Sequence, residues 1–463
     1  MHKFNSSILR AYDIRGVYNQ TLFDQDALYI GKSLASVLAK KSQKKIAVGY
    51  DGRKSSPTLK NKLIEGLVAS GVEVCEIGVC PTPMLYFAVF HLNCDAGIMV
   101  TGSHNPKDHN GFKIALKDRP FYGEDILNLE KICQNQDFVV GQGSVKNYQI
   151  IEEYTDRIIK DFIGSKNTSK LKIAWDCGNG AAGEVIKNIT QKIDANHILL
   201  YEEIDGTFPN HHPDPSEEKN MQDLIDTVKD NNCDIGIAFD GDGDRIGVVD
   251  NEGCIIWGDQ LMVFYARDIL REKPNSSIIA DVKASNILFS EIKKSGGKPI
   301  MWKTGHSLIK AKMKEEKAVL AGEMSGHIFF ADKYYGFDDA IYAAMRIINI
   351  LIKSNNKISE LRKSLPKTFS TAEIRVPCND NVKFSIIDKI KAKLDKKGLN
   401  YNSVDGIRFI KDNDWWLLRA SNTQPVLVAR CEAINLNSLN ILKKELSEIL
   451  SDCNIEIPQE LKN

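Results

Sequence analysis

What this 463-residue chain lacks narrows its function before any motif is considered. It lacks a charge imbalance, since 61 basic residues face 61 acidic ones. No global field draws it to nucleic acid or to an anionic membrane, so an anionic ligand must be held by a local cluster. Long apolar runs are missing too. The N-terminus, MHKFNSSILRAYDIRG, has no apolar secretory core. No stretch approaches the roughly 18 apolar residues of a membrane span. The nearest candidate, IYAAMRIINILI, is interrupted by Arg346 and reads as an amphipathic helix. The ten cysteines form no CxxC pair and keep no regular spacing. They read as reduced thiols of a cytoplasmic protein, with Cys75 and Cys177 as small core residues in strand-like runs.

What is present is ordinary globular composition, 43% apolar and 26% charged. At about 150 residues per domain the length implies three or four domains. Three weakly similar units are visible. They start with KIAVGYDGR, LKIAWDCGNG and SSIIADVKAS, whose first strands end at Asp51, Asp176 and Asp281. A helical pattern follows each. In the first, Ser56 is placed to cap, Pro57 to take the first turn, and Leu59, Leu63, Ile64, Leu67 and Val68 to line one face before Gly71. Second strands (VEVCEIG, HILLYEEI, KPIMWKTG) lead to helices near 82–92, 216–231 and 307–316. Third strands (AGIMV, DIGIAF, AVLAG) then close each unit.

The loops leaving the third strands carry the chemistry: TGSHNP, DGDGDR and GEMSGH. Alternating strands and helices imply an α/β fold with mixed, substantially parallel sheets between helices. In such sheets ligands bind beyond the carboxyl ends of the strands. Three related α/β domains therefore aim three polar loops at one cleft. After about Thr368 the pattern changes to strands around AEIRVPC, GIRFI, WWLLRAS and VLVARCEAI, with helices near 382–396 and 437–451, a small α+β domain. The expected bounds are 1–151, 152–253, 254–367 and 368–463, with linkers near 163–170 and 364–371.

DGDGDR sets Asp240, Asp242 and Asp244 at alternate positions between glycines. Such a loop lets three carboxylates converge on one hard cation such as Mg²⁺. A calcium EF-hand is excluded, because position six is Arg245, position twelve is Asn251, and a strand rather than a helix precedes. The rival is a solvated acidic turn. Arg245 is suited either to a phosphate or to an ion pair with its own aspartates. Ser103 reads as a turn residue or as a nucleophile. A phosphorylated serine carries about −1.5 to −2 charge and would partner such a cation, with His104 and Lys113 near to balance charge. His306 in KTGHSL either serves the site or is a solvated residue before a helix. Glu323, Ser325 and His327 in AGEMSGH suit vicinal hydroxyls and proton transfer, or simply a glycine-bounded turn. RASNTQP offers Arg419, Ser421, Asn422 and Thr423 as a phosphate cradle, unless it is only a type I turn before Pro425.

Together AYDIRG, TGSHNP with NGFKI, FPNHHPDP, DGDGDR, MWKTGHSLIK, GEMSGH and RASNTQPVLV resemble the α-D-phosphohexomutase family along nearly the whole chain. The resemblance implies four domains, the last with a TATA-binding-protein-like fold. It implies that Ser103 is a phosphate carrier and that Asp240, Asp242 and Asp244 ligate Mg²⁺ together with a phosphoserine oxygen. Glu323 and Ser325 would contact sugar hydroxyls, while Arg419, Ser421, Asn422 and Thr423 would hold the non-reacting phosphate. Tyr12, Arg15, Lys113, Arg245, Lys283, His306 and His327 would occupy other active-site positions, with His327 and then Lys113 as general acid/base. The reaction implied converts hexose 6-phosphate and hexose 1-phosphate through a 1,6-bisphosphate, with glucose or mannose 1,6-bisphosphate as activator. Met324 matches the mannose/glucose branch, where phosphoglucosamine mutases usually carry Gln. The alternatives are a phosphoglucosamine mutase, a Mg²⁺-dependent sugar phosphatase, or a non-catalytic sugar-phosphate-binding protein. Expected partners are small hexose phosphates, with no nucleic acid, membrane or obligate protein partner.

Overall fold

The structure, a computed structural model, describes residues 2–164, 170–354, 356–422 and 424–462. Each of the three repeated units builds its first strand into the middle of a sheet. Lys45–Tyr50 lies between Glu73–Val79 and Ala96–Val100, and Lys172–Asp176 lies between Asn196–Leu200 and Ile235–Phe239. In the third unit Ser277–Asp281 lies between Lys298–Trp302 and Leu320–Gly322. These pairings are parallel. A fourth strand then returns antiparallel to the third in each unit: His109–Leu116, Ile246–Asp250 and Ile328–Phe330. The sheets are therefore mixed, as expected, and the three polar loops are the connections into that returning strand. Ala96–Val100 and Ile235–Phe239 are buried at every residue, because helices cover both faces and leave no solvent side to alternate with.

Two of the aspartates that end the first strands, Asp51 and Asp281, brace these loops. Asp51 accepts from the Thr101 hydroxyl at 2.8 Å and from the Gly102 backbone N–H at 3.1 Å. Asp281 accepts from Met324 N–H at 3.4 Å and from the Thr304 hydroxyl at 3.2 Å. Ser56 differs from its expected role. The N-cap of helix Ser56–Val68 is Ser55, and the Ser56 hydroxyl instead donates to Asp51 at 2.6 Å. Its oxygen accepts from Asn110 Nδ2 at 2.9 Å, so it caps no helix N–H.

Helix Ala340–Ser354 corrects the amphipathic reading of IYAAMRIINILI. Residues 340–351 are all buried, within a core that draws side chains from the first three units. Arg346 survives there because Asp332 pairs with it at 2.9 Å and Asp268 at 3.7 Å, while its guanidinium lies over Phe330. A charge inside the run marks a paired cation here, not a solvent face.

The last unit is an antiparallel sheet whose centre is Asp414–Ala420 against Val426–Ala433. Trp416, Leu418 and Ala420 point into a core with helices Lys383–Lys396 and Leu436–Ser451. The alternate residues Trp415 and Leu417 pack with Val282 of the third unit. The period of two thus sends Arg419 to the inter-unit side, where it meets Asp405. Of the expected linkers, 165–169 lie outside the described residues, and 364–371 contains the short strand Phe369–Ser370, paired with Val426–Ala433. All ten cysteines are free, Cys75 and Cys177 both buried. Among the described residues no helix is long and apolar enough to cross a membrane.

Candidate active site

Ser103 sits at the tip of the first loop with φ of 50°, a left-handed conformation that a non-glycine residue adopts only when its surroundings enforce it. Arg53 provides the enforcement. Its guanidinium is buried and donates to the carbonyls of Ser103, Asn105 and Pro106, each at 2.6 Å, and to that of His109 at 3.1 Å. Its Nε donates to Asp51 at 3.1 Å. The backbone N–H of Ser103 donates to the Thr101 hydroxyl at 2.8 Å, which fixes the tip from the other side.

The second loop approaches this tip closely enough to exclude a side chain. A Cβ on Gly241 would lie 2.5 Å from the Ser103 carbonyl oxygen, and Gly243 has φ of 72°. Glycine at both positions lets Asp240, Asp242 and Asp244 converge, with ligand atoms within 4.8 Å of one another. The Ser103 hydroxyl donates to Asp240 Oδ2 at 3.1 Å and lies 3.1 Å from His104 Nδ1. Lys113 Nζ contacts Asp242 Oδ2 at 2.7 Å and Asp244 Oδ2 at 2.5 Å, and Thr82 donates its hydroxyl to Asp242.

The electrostatics of this floor are one-sided. All three aspartates are buried, and burial plus the charges of Asp242 and Asp244 hold the Asp240 carboxyl well above its ordinary range. Burial would raise Asp242 as well, but Lys113 outweighs it and holds that carboxyl low. Burial likewise opposes the Lys113 charge, and the three carboxylates reverse this and raise its pKa. The Oδ1 atoms of Asp242 and Asp244 are buried without a hydrogen-bond partner among the described residues. Carboxylate oxygens in excess of the contacting ammonium, two of them orphaned, fit a hard divalent cation. His104 does not balance this charge, because burial and then Arg245 push its imidazole well below the usual value.

Arg245 pairs away from the acidic trio. Its Nε donates to His327 Nε2 at 3.0 Å, and Nη1 lies 3.9 Å from Asp214. His327 therefore carries its proton on Nδ1, which lies 3.0 Å from Asp338 Oδ2 and 3.6 Å from Asp244 Oδ1. His306 begins helix His306–Glu316, stacks on His327 at 5.6 Å between ring centroids, and lies 3.8 Å from the same Asp338 oxygen. Burial, followed by Lys310, lowers the His306 pKa well below the ordinary value.

These groups open into a cleft of about 1270 Å³ lined by all four units. Ser103, Arg15 and Lys113 enter from the first, Arg245 from the second, Glu323, Ser325 and His327 from the third, and Arg419 and Ser421 from the fourth. Tyr12 joins three units: its hydroxyl donates to Thr304 O at 2.8 Å and accepts from Asn422 Nδ2 at 2.5 Å. Burial pushes its pKa up to about 12. Glu323 Oε1 accepts from Gly305 N–H at 2.6 Å. Lys283 pairs with Glu373 Oε2 at 3.0 Å, and Arg419 Nε with Asp405 Oδ2 at 2.9 Å. Arg15 pairs with Asp13 and donates to Asn105 at 3.3 Å. Thr423 lies outside the described residues.

Sequence reading did not single out Arg53, Thr82, Asp338, Glu373 or Asp405. For Arg53 a signal existed in YDGR, where an arginine follows a strand-ending aspartate. The doubled aspartate in GFDDA was the trace of Asp338. Glu373 and Asp405 carry no local mark, since what matters is the cation each meets, Lys283 from the third unit for Glu373 and Arg419, 14 residues along the same unit, for Asp405.

The chain is similar to known proteins along most of its length. Family profiles described as phosphoglucomutase/phosphomannomutase match in order: alpha/beta/alpha domain I over residues 6–140, domain II over 152–253, domain III over 257–369, and the C-terminal domain over 373–449. A Pseudomonas putida phosphomannomutase/phosphoglucomutase is 46% identical over 427 residues, 92% of each chain. A phosphoglucomutase of Neisseria meningitidis serogroup A is 41% identical over 447 residues, 96% of each. The crystal structure of a phosphoglucomutase/phosphomannomutase family protein from Burkholderia thailandensis matches with a TM-score of 0.92 and 39% identity, over 98% of this chain and 100% of that one. Four consecutive domain matches and identity above 40% along the chain place it in the phosphoglucomutase/phosphomannomutase family.

Proposed function

We propose that this chain interconverts the 6-phosphates and 1-phosphates of mannose and glucose through a phosphoserine at Ser103 and a hexose 1,6-bisphosphate. The observation that carries this reading is the Ser103 hydroxyl held 3.1 Å from Asp240 in a cleft lined by all four units, to which the fourth contributes Arg419. A phosphatase needs the first feature and has no use for the second.

In the forward transfer the substrate hydroxyl attacks the phosphorus on Ser103. A new P–O bond forms to the sugar, the P–O bond to Oγ breaks, and the hydroxyl proton passes to a base. After the bisphosphate turns over, the Ser103 oxygen attacks the other phosphate and the proton returns to the sugar oxygen left behind. No phosphate is consumed. His327 is assigned as acid/base because it lines the cleft with Asp338 at its Nδ1 side, and its Nε2 takes up a substrate proton once Arg245 releases that lone pair. Lys113 is the second choice. As placed between Asp242 and Asp244 it holds its proton tightly, and it serves best as a fixed charge. Asp240, Asp242, Asp244 and a phosphoserine oxygen would hold Mg²⁺, which would polarise the phosphoryl group. Glu323 and Ser325 bind sugar hydroxyls. Arg419, Ser421, Asn422 and Thr423 hold whichever phosphate is not reacting, aided by Tyr12, Lys283, Arg15 and His306 around the cleft. The labour divides by domain, at 1–151, 152–253, 254–367 and 368–463.

Matched kinetics with mannose, glucose and glucosamine 1-phosphates test this, under saturating Mg²⁺ and a trace of glucose 1,6-bisphosphate. Turnover of the first two, abolished by a chelator, is expected. Preference for the amino sugar, or release of inorganic phosphate in place of an isomer, would contradict it.

A further inference from the structure

A second cavity lies behind the catalytic cleft, between the first and third units, with a volume of about 500 Å³. Helix Thr82–His91 and strand His109–Leu116 form one wall, and helix His306–Glu316 with residues 331–337 the other. Its interior is apolar, with Val89, Phe90, Ile114, Met313 and Phe337 among the lining side chains. Five cations line it (Lys117, Arg119, Lys310, Lys314 and Lys317) against one carboxylate, Asp118. Arg119 is already engaged, donating to Asp125 at 2.5 and 2.7 Å. Lys314 donates to the Asp118 carbonyl at 2.5 Å and Lys117 to Asn93. The surplus charge remains positive. The size suits a single bicyclic ligand, and the chemistry suits a flat apolar body carrying one anionic group.

The cavity also touches the catalytic machinery from behind. Lys310 lies over the Tyr86 ring at 4.4 Å and donates to Asp338 Oδ1 at 3.0 Å. The other oxygen of Asp338 faces His327 Nδ1 at 3.0 Å and His306 Nδ1 at 3.8 Å. An anion seated against Lys310 competes with Asp338 for that ammonium. Asp338 then has only the two histidines facing it, and it holds the His327 ring, already 3.0 Å away, more tightly at Nδ1. The relay is two contacts long, and Lys310 is its only member that lines the rear cavity.

We propose that this cavity is a regulatory site for a small aromatic carboxylate, whose binding slows turnover through Lys310, Asp338 and His327. The coupling rests on the acid/base role given to His327 above; the binding site does not. Naphthalene-2-carboxylate is a suitable probe, and its size corresponds to a Kd of about 1 mM. Calorimetric titration of the full chain should show one saturable site. Binding should be lost in Lys314→Glu/Lys317→Glu, which reverses two exposed charges, and in Ala331→Trp, which fills the cavity from an exposed position. Both variants should keep basal turnover. With wild type and glucose 1-phosphate, saturating probe should lower kcat about five-fold or more and leave KM unchanged.

No saturable binding up to ~10 mM, or binding that both variants retain, would overturn the site. A rise in KM alone would place the probe in the catalytic cleft and overturn it equally. Binding with unchanged kcat would overturn the coupling. Should the chain have no mutase activity, the functional reading fails separately. The proposal then stands or falls on the titration and on whether the probe shifts the His327 imidazole resonances.

Discussion

The hydroxyl of Ser103 reaches Asp240 Oδ2 at 3.1 Å across 137 residues of chain, and the contact exists because Gly241 has no side chain. A phosphate carried by Ser103 would thus stand directly on the carboxylate cluster. Replacing Gly241 by Ala puts a Cβ 2.5 Å from the Ser103 carbonyl oxygen, a backbone atom that cannot swing aside. The two loops must part by several tenths of an ångström or more. We expect kcat to fall by about ten- to a hundred-fold, since misplacements of this order disrupt phosphoryl transfer, with thermal unfolding little changed. Steady-state kinetics beside calorimetry would check both halves.

Arg53 should matter as much as any residue in the cleft, although it touches no substrate. In Arg53→Met four carbonyls of the serine loop lose their donor and Asp51 loses its cation. Breaking a buried pair from one side costs about 3–5 kcal/mol. Denaturant unfolding should show a loss of that size, with turnover lost more steeply than stability. Wild-type turnover in a destabilised variant would mean the φ of Ser103 does not depend on this clamp.

His211, from the FPNHHPDP motif, supplies a pH-dependent contribution to stability. It lies 2.9 Å from Asp176, and although burial opposes its charge, that carboxylate raises its pKa above the ordinary 6.5. A group raised in the folded state stabilises fully below its unfolded pKa and loses the contribution as pH climbs through the folded value. The drop in melting temperature caused by His211→Asn should therefore be larger near pH ~6 than near pH ~9. Equal drops at both would remove the ion pair from the account.

The chain's repeats were legible because strand, helix and strand recur with an aspartate at the same place, and a parallel sheet then fixes where the loops must lie. Ser103, the aspartate trio and GEMSGH could be found because chemistry concentrated them in short loops. The burial of helix Ala340–Ser354 was not legible, since its solvent-like marker, Arg346, is neutralised by Asp332 and Asp268 from elsewhere in the chain. The Ser56 cap failed for a related reason: its hydroxyl donates to Asp51 and accepts from Asn110, 54 residues further on. Asp338, Glu373 and Asp405 each act on a residue tens of positions away or, for Asp405, across a strand turn. No local pattern records such partners.

The fourth domain separates a mutase from a one-way phosphatase. If Arg419 holds the 6-phosphate in one half-reaction and the 1-phosphate in the other, Arg419→Ala should lower kcat/KM in both directions. One charge-assisted contact corresponds to about 1.5–3 kcal/mol, or roughly ten- to a hundred-fold. The variant should also need more added glucose 1,6-bisphosphate, because the intermediate escapes more often. Forward and reverse kinetics across an activator titration would reveal a defect confined to one direction, which the account does not allow.

If Ser103 carries phosphate to and from the sugar, one transfer experiment reads it directly. Protein labelled with radioactive phosphate on Ser103 would be mixed with unlabelled glucose 1-phosphate, quenched over time, and its products separated. Label should leave the serine for glucose 1,6-bisphosphate and then for glucose 6-phosphate, at a rate no slower than turnover, with Ser103→Ala taking up no label. Label that stays on the protein through many turnovers, or that leaves as inorganic phosphate, would contradict it.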